Sequence, residues 1–198
     1  LRRIRVADDG GGIATGQLAL ALMRHATSKV ASLADLVKVA SMGFRGEALA
    51  SIASIALTRL TSRIKGVDHG SMLEARPDQR DSPQPIPAAC ERGTTVEVID
   101  LFSATPARRK FLKAPATEAA HAIEAVRRIA LAHPRIAFSI IQDAREVRNW
   151  PASSLAERIG EAIGDGASLI EVDETAGPLR VFGLIGAPDA ARGRSDRQ

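Results

Sequence analysis

Two glycines and an arginine stand directly before an apolar run in the segment Gly43-Phe44-Arg45-Gly46-Glu47-Ala48-Leu49. The run at 48–56 predicts a helix, within a helical stretch 46–56. The first backbone N–H groups of such a helix have no partner inside it and lie at the positive end of its dipole. Because glycine has no Cβ, an anion can approach these groups closely. The pattern is typical of a phosphate-binding loop, although many Gly-rich helix starts are only turns.

A second block, Asp8-Asp9-Gly10-Gly11-Gly12-Ile13, follows a run whose alternation predicts a strand at 2–7. A carboxylate at the end of a strand can accept a hydrogen bond from the amino group of a purine. The glycines that follow allow a flat base to lie against bare backbone. Taken alone, the block is equally typical of a turn.

A third block, Arg24-His25-Ala26-Thr27-Ser28-Lys29, ends an apolar-periodic segment. Thr27 and Ser28 supply hydroxyl donors and Lys29 a compact cation, which suit phosphate oxygens. Alone, Lys29 is a solvated helix end. The three blocks together favour a nucleotide site.

Composition excludes several classes of protein. The single cysteine, Cys90, rules out an intrachain disulfide, and the scattered histidines form no zinc pattern. No apolar run approaches the roughly 18 residues that a membrane span needs. The chain also lacks the Gly-x-x-x-x-Gly-Lys-Ser/Thr motif of P-loop nucleotidases.

A basic cluster follows Pro106, within a net charge of only +4. It is either a solvated turn or an edge that contacts nucleic-acid phosphates. Burial of Phe111 and Leu112 would turn some of the neighbouring cations outward. Arg109 and Lys113 are therefore the candidates for DNA backbone contact, and Arg108 and Lys110 are assigned structural roles.

Periodicity and breakers predict an α+β fold. Strands are expected at 2–7, 57–64, 71–75, 94–99, 135–141, 146–149, 169–172 and 179–185. Helices are expected at 15–25, 33–40, 46–56, 117–132 and 154–163, with capping-box pairs Ser32/Asp35 and Ser154/Glu157. Residues 77–92 form a proline-rich loop, and 189–198 a tail without a partner element. Trp150-Pro151 marks a boundary, which gives domains 1–149 and 150–198.

The motifs resemble the N-terminal ATPase region of the MutL family of DNA mismatch repair proteins, members of the GHKL ATPases. The resemblance rests on the three blocks above, on Gly93-Thr94 and on Thr105-Pro-Ala-Arg-Arg-Lys-Phe-Leu112. It is strong over 1–131 and fades beyond Ile141. It implies a GHKL (Bergerat-type) α/β sandwich of mixed sheet and helices over 1–149. An incomplete ribosomal S5-like α/β subdomain would begin at 150.

The resemblance also implies roles for individual residues. Asp8 would accept from the adenine amino group, Gly10 and Gly12 would line the base, and Thr94 would brace Asp8 or a bridging water. Residues 24–46 would form a lid that orders over bound nucleotide. The residues implied to hold ATP are Asp8, Gly10, Gly12, Thr27, Ser28, Lys29, Gly43, Phe44, Arg45, Gly46, Glu47, Ala48, Leu49 and Thr94.

The chain departs from the family pattern at three points. The family's water-activating glutamate and its Mg²⁺-binding asparagine are expected to precede Leu1, and a lysine that reaches the γ-phosphate is expected beyond Gln198. We therefore expect an internal fragment that contains no catalytic residue and does not hydrolyse ATP alone. Ser103-Ala104 replaces an aromatic-Asn pair and puts the local turn chemistry in question.

The partners implied by the resemblance are ATP with Mg²⁺, and DNA, either mismatched duplex or single strand, held by backbone contacts. Self-association through ATP-bound N-terminal domains, a MutS-type mismatch-recognition protein and a cytoplasmic, nucleoid-associated location are implied too; no membrane partner is. An alternative is a nucleotide-gated DNA-binding scaffold without significant hydrolysis. Another GHKL enzyme, such as a topoisomerase subunit or a kinase, is disfavoured by residues 105–112.

Overall fold

The computed structural model describes residues 2–24, 26, 46–79, 82–163 and 169–186. The backbone divides into two compact units, Leu1–Leu112 and Lys113–Gln198. The domain boundary predicted at 149/150 falls within the second unit and stays a prediction.

The first unit is built on a five-stranded sheet in the order β1-β5-β2-β3-β4. Its strands are β1 Arg3–Asp8, β2 Leu57–Arg63, β3 Gly70–Ala75, β4 Ile86–Ala88 and β5 Gly93–Ile99. Every neighbouring pair is antiparallel. Four of these strands lie where the alternation of the sequence predicts them.

One face of this sheet carries the core. Leu60 on β2, Leu73 on β3 and Leu18 of helix α1 (Leu18–Ala21) are each 0% exposed. Ile13, Ala21, Leu22 and Val96 pack around these three leucines. Because side chains alternate along a strand, the strand residues next to each inward-facing leucine point to the opposite face of the sheet. The residues of this core are all aliphatic.

The opposite face carries a row of ion pairs across the strands. Arg59 lies between Glu74, at 2.9 Å, and Glu97, at 3.5 Å. Arg3 approaches Glu97 at 3.6 Å, and Arg76 lies 2.7 Å from Glu74. The hydrogen bond from Arg59, followed by that from Arg76, lowers the pKa of Glu74. Cross-strand pairs of opposite charge favour this register.

The helices of the first unit are shorter than the sequence predicts. Instead of one helix over 15–25, a 3₁₀ turn at Thr15–Gln17 leads into the four-residue α1. Thr15 is held by a hydrogen bond to Ser71 and Leu18 is buried, so tertiary contacts override helical periodicity here. The helix predicted over 46–56 is α2, Ala48–Ala53, because Gly46 has a φ of +61° that no helix accommodates. The helix predicted over 33–40, with Ser32 and Asp35, lies outside the described residues.

The proline-rich loop contains a strand that the sequence did not predict. β4 pairs with β3 at the edge of the sheet, with Pro87 opposite Ser71. Proline lacks an N–H donor and is therefore tolerated on an edge strand, where one side of the backbone has no partner. The sequence pattern missed β4 because two prolines within four residues, Pro85 and Pro87, resemble a loop.

Within residues 113–163 and 169–186, the second unit contains two helices and two β-hairpins. Its elements are α4 Pro115–Ala132, β6 Phe138–Gln142, β7 Arg145–Trp150, α5 Leu155–Ile163, β8 Leu169–Ala176 and β9 Leu179–Gly186. The short helix α3, Pro106–Arg109, belongs to the first unit. These six elements overlap helices and strands that the sequence predicts.

The capping box predicted for α5 is confirmed. The backbone N–H of Ser154 donates to Glu157 at 2.8 Å, and the N–H of Glu157 donates to the Ser154 hydroxyl at 3.3 Å. The bond from the Ser154 backbone is the main cause of the lowered pKa of Glu157. On α4, hydrogen bonds from Arg127 and then Arg128 lower the pKa of Glu124 to about 2. Both helices thus obtain part of their stability from local interactions, a capping box in α5 and ion pairs in α4.

Arg158 of α5 is 0% exposed and organises the second unit. Its guanidinium donates to backbone carbonyl oxygens of Ala130, Pro134, Ile136, Trp150 and Pro151. A carboxylate oxygen of Glu161 lies 3.8 Å from the Nε atom of Arg158. The ring centroid of Phe138 lies 5.8 Å from the Cζ atom of Arg158. These carbonyls lie in the last turn of α4, in the connection before β6, and at or just after the end of β7. One guanidinium therefore satisfies acceptors from three separate stretches of chain.

No helix among the described residues combines the length and the apolar composition that a bilayer span requires.

Candidate functional site

The register of the sheet brings four polar side chains into one row. Asp8 on β1 lies opposite Thr94 on β5, Thr94 lies opposite Ser62 on β2, and Ser62 lies opposite Ser71 on β3. Leu60, Leu73 and Val96 occupy the next row of the same face. The core face therefore ends in a polar edge at the glycine block that follows β1.

The Asp8 carboxylate is held by backbone donors on one oxygen. Its Oδ1 atom accepts from the N–H of Gly10 at 2.9 Å and from the N–H of Thr94 at 3.3 Å. Its Oδ2 atom has no hydrogen-bond partner among the described residues. The carboxylate is exposed, so this oxygen can accept from a ligand.

Two glycines allow the backbone to close around Asp8. Gly12 has a φ of +75°, and a Cβ there would overlap the carbonyl group of Arg63. Gly93 has a φ of +111°, and a Cβ there would overlap the carbonyl group of Asp8. Any other residue at either position would be strained and would push the loop away from the sheet. This geometry supports the prediction that the glycine block presents bare backbone.

Ser62 is a site residue that the sequence analysis missed. It is 2% exposed, and its hydroxyl oxygen accepts from the N–H of Ile13 at 2.7 Å. The same hydroxyl donates to the carbonyl oxygen of Gly93 at 2.8 Å and lies 3.0 Å from the Thr94 hydroxyl. The available signal was the alternation of β2, which places a serine in an inward position beside Leu60.

A cleft of about 420 Å³ adjoins this row. It is lined by Ile13, Thr15, Ser62, Arg63, Ile64, Val67, His69, Gly70, Ser71, Pro85 and Pro87. Asp8 and Thr94 are not among the lining residues, so Ser62 joins the cleft to the predicted base site. Its lining includes the hydroxyl groups of Thr15, Ser62 and Ser71 as well as apolar side chains.

The structure brings two of the predicted phosphate blocks together. Gly46 lies directly against the backbone of Ala26, and a Cβ on Gly46 would overlap the Ala26 carbonyl group. Glu47 precedes α2, and Ala48 and Leu49 form its first turn. The remaining candidates, Thr27, Ser28, Lys29, Gly43, Phe44 and Arg45, lie outside the described residues. Their phosphate-binding role stays a prediction.

The basic cluster differs from its prediction in one respect. Phe111 is 84% exposed rather than buried, and Leu112 is partly buried. Helix α3 is only four residues long, so Phe111 follows in a separate turn and is not carried onto an inward helix face. Arg109 is exposed in the first unit, and Lys113 is exposed in the second. Their contact with DNA stays a prediction.

Comparison with known proteins gives a consistent result, although no family model matches the chain. The chain is 50% identical over 200 residues to the DNA mismatch repair protein MutL of Neisseria meningitidis serogroup C. That match covers 100% of this chain and 30% of the Neisseria protein. MutL of Thiobacillus denitrificans is 50% identical over 202 residues, which cover 100% of this chain and 33% of that protein. The chain thus spans about 30% of the length of these curated relatives.

A solved structure extends the likeness to the fold. The ATPase domain of Aquifex aeolicus MutL complexed with ADP is similar with a TM-score of 0.65 and 30% sequence identity. The match covers 87% of this chain and 60% of that chain. The predicted GHKL fold is therefore confirmed. Sequence and fold together identify the chain as a stretch of the ATPase region of the MutL family of DNA mismatch repair proteins.

Proposed function

We propose that this chain forms the adenine-nucleotide-binding part of the ATPase module of a DNA mismatch repair protein. The observation that carries the proposal is the Asp8 carboxylate, which has one oxygen fixed by Gly10 and Thr94 and the other available. The available oxygen accepts a hydrogen bond from the adenine amino group. The backbone at Gly10 and Gly12 supports the flat base, because no side chain stands there.

The phosphates extend from the base toward the blocks that meet at Gly46 and Ala26. In this proposal Thr27, Ser28, Lys29 and the backbone N–H groups of 45–49 hold them. The relative from Aquifex aeolicus, solved with ADP, supports nucleotide as the ligand. Bound Mg²⁺ supplies charge neutralisation at the phosphates; no residue of this chain is proposed as its ligand or as the base that activates water.

Nucleotide binding in this proposal also controls assembly. ATP contacts the lid, residues 24–46, and selectively stabilises its ordered state, which creates a surface for a second copy. The assembled protein then binds the phosphate backbone of DNA. It acts with a MutS-type mismatch-recognition protein in the cytoplasm.

Phosphate release and molar mass test this function in the full-length protein. We expect the full-length protein to release phosphate from ATP. We expect its separately expressed N-terminal region to be a dimer by light scattering with a non-hydrolysable ATP analogue and a monomer without it. Dimerisation without phosphate release would favour the nucleotide-gated scaffold instead. If ATP neither binds nor changes the mass, the proposal is wrong.

DNA contact by the basic cluster is tested separately for Arg109 and Lys113. We expect Arg109→Glu and Lys113→Glu each to reduce the magnitude of the negative slope of log affinity against log salt by about 0.7–0.9. The reason is that fewer counterions are released on binding when one phosphate contact is lost. The loss should be similar for all duplex sequences, because phosphate contacts do not read bases. The measurement is duplex binding by the full-length protein over a salt series.

Lys65→Glu is the matched control for these two variants, because Lys65 is exposed and the charge change is identical. It should leave the slope unchanged. If Arg109→Glu and Lys113→Glu behave like Lys65→Glu, DNA binds elsewhere on the protein.

A further inference from the structure

The hydrogen bonds around Ser62 fix the direction of the Thr94 hydroxyl. A serine hydroxyl carries one proton and two lone pairs. The carbonyl oxygen of Gly93 can only accept, so at 2.8 Å it takes the Ser62 proton. The N–H of Ile13 occupies one Ser62 lone pair at 2.7 Å. The second lone pair therefore accepts the proton of Thr94, whose hydroxyl oxygen is 3.0 Å away.

This arrangement determines what the site offers to a ligand. With its proton directed to Ser62, the Thr94 oxygen retains only lone pairs. Asp8, its register partner, carries a carboxylate, which also only accepts. The row therefore presents acceptors on both side chains, although Thr94 in isolation could donate or accept.

We propose that Ser62 is a specificity-determining positioning residue that makes the nucleotide site select adenine over guanine. This inference rests on the proposed function. Adenine carries an amino donor at C6, which satisfies the acceptors, whereas guanine carries a carbonyl oxygen at C6. That oxygen would face acceptors only, and an unsatisfied polar contact in a site is costly. Ser62 acts through Thr94 and through the Ile13 backbone, and it does not itself touch the nucleotide.

Ser62→Ala in the full-length protein tests the proposal, with ATP and GTP affinities measured by calorimetric titration. Alanine removes the acceptor, so Thr94 can rotate its proton toward the site and donate to a carbonyl oxygen. We expect the ratio of ATP to GTP affinity to fall roughly 10-fold, the value of one hydrogen bond. A purely structural serine would change stability, or both affinities in parallel, and would leave the ratio as it is.

Ser71→Ala is the matched control. Ser71 lies in the same row and is 6% exposed, but its hydroxyl pairs with Thr15 at 2.7 Å and not with Thr94. It should keep the wild-type ratio within about twofold. Ser62→Thr keeps the hydroxyl and should restore selectivity.

The double variant identifies the route of the effect. In a Thr94→Val background, Ser62→Ala should no longer change the ratio, because the hydroxyl that it controls is absent. If Ser62→Ala fails to fold, Thr94→Val alone carries the test. This variant keeps the hydrogen bond between Ser62 and the Ile13 N–H, and it must still lower the ratio of ATP to GTP affinity. A wild-type ratio in Ser62→Ala or in Thr94→Val overturns the inference. Absence of ATP binding in the wild-type protein would instead overturn the proposed function.

Discussion

Asp8→Ala should lower the affinity of the full-length protein for ATP on the order of 10- to 100-fold. The substitution removes the acceptor for the adenine amino group, and loss of a hydrogen bond to a charged group costs about 1.5–3 kcal/mol. Calorimetric titration with ATP measures the effect directly. The fold should survive, because the Gly10 and Thr94 amides that Asp8 accepts from lie at an exposed position where water can replace it.

Asp9→Ala provides the control for this substitution. Asp9 is the neighbouring exposed carboxylate, and within the described chain it has no hydrogen-bond partner. Its removal makes the same change in charge and should alter ATP affinity by less than about threefold. If Asp8→Ala also binds ATP like wild type, its carboxylate merely closes the turn that follows β1.

Arg158→Met should destabilise the second unit by about 3–5 kcal/mol, because each buried carbonyl oxygen that loses its donor costs about 1–3 kcal/mol. The carbonyl oxygens of Ile136 and Pro151 would lose the donor that Arg158 supplies, whereas those of Ala130 and Pro134 keep the amides of His133 and Ser153. Methionine fills only the volume of the arginine stem. Urea unfolding, followed by the fluorescence of Trp150, reports on this region directly. Trp150 is the single tryptophan of the chain and is 3% exposed.

Arg128→Met is the matched control, because the side chain of Arg128 is 67% exposed and pairs with Glu124 on the surface. It should cost less than about 1 kcal/mol. Arg158→Lys should fall between the two, since an ammonium group offers three donors where the guanidinium offers five. Equal unfolding midpoints for Arg158→Met and wild type would show that Arg158 does not hold these turns together.

Local chemistry in the sequence determined most of the elements and the glycine block that follows Asp8. Alternation predicted β1, β2, β3 and β5 because a strand with one buried face repeats every second residue. The pair Ser154 and Glu157 predicted the start of α5, because a capping box is satisfied within four residues. The glycines after Asp8 predicted bare backbone because tolerance of positive φ and of close approach is a property of glycine itself.

Only the tertiary structure decided which of these residues act together. Ser62 lies 32 residues from Thr94 and 49 from Ile13 along the chain, and its role exists only because strand register brings the three into contact. In the sequence Arg158 is indistinguishable from an ordinary exposed helix arginine. In the structure it donates hydrogen bonds to carbonyl oxygens up to 28 residues away. Phe111 shows the opposite case, since its apolar character predicted burial and the end of α3 leaves it exposed. Pattern and propensity depend on near neighbours, whereas burial and hydrogen-bond partners across a sheet depend on register and packing that no local window of sequence contains.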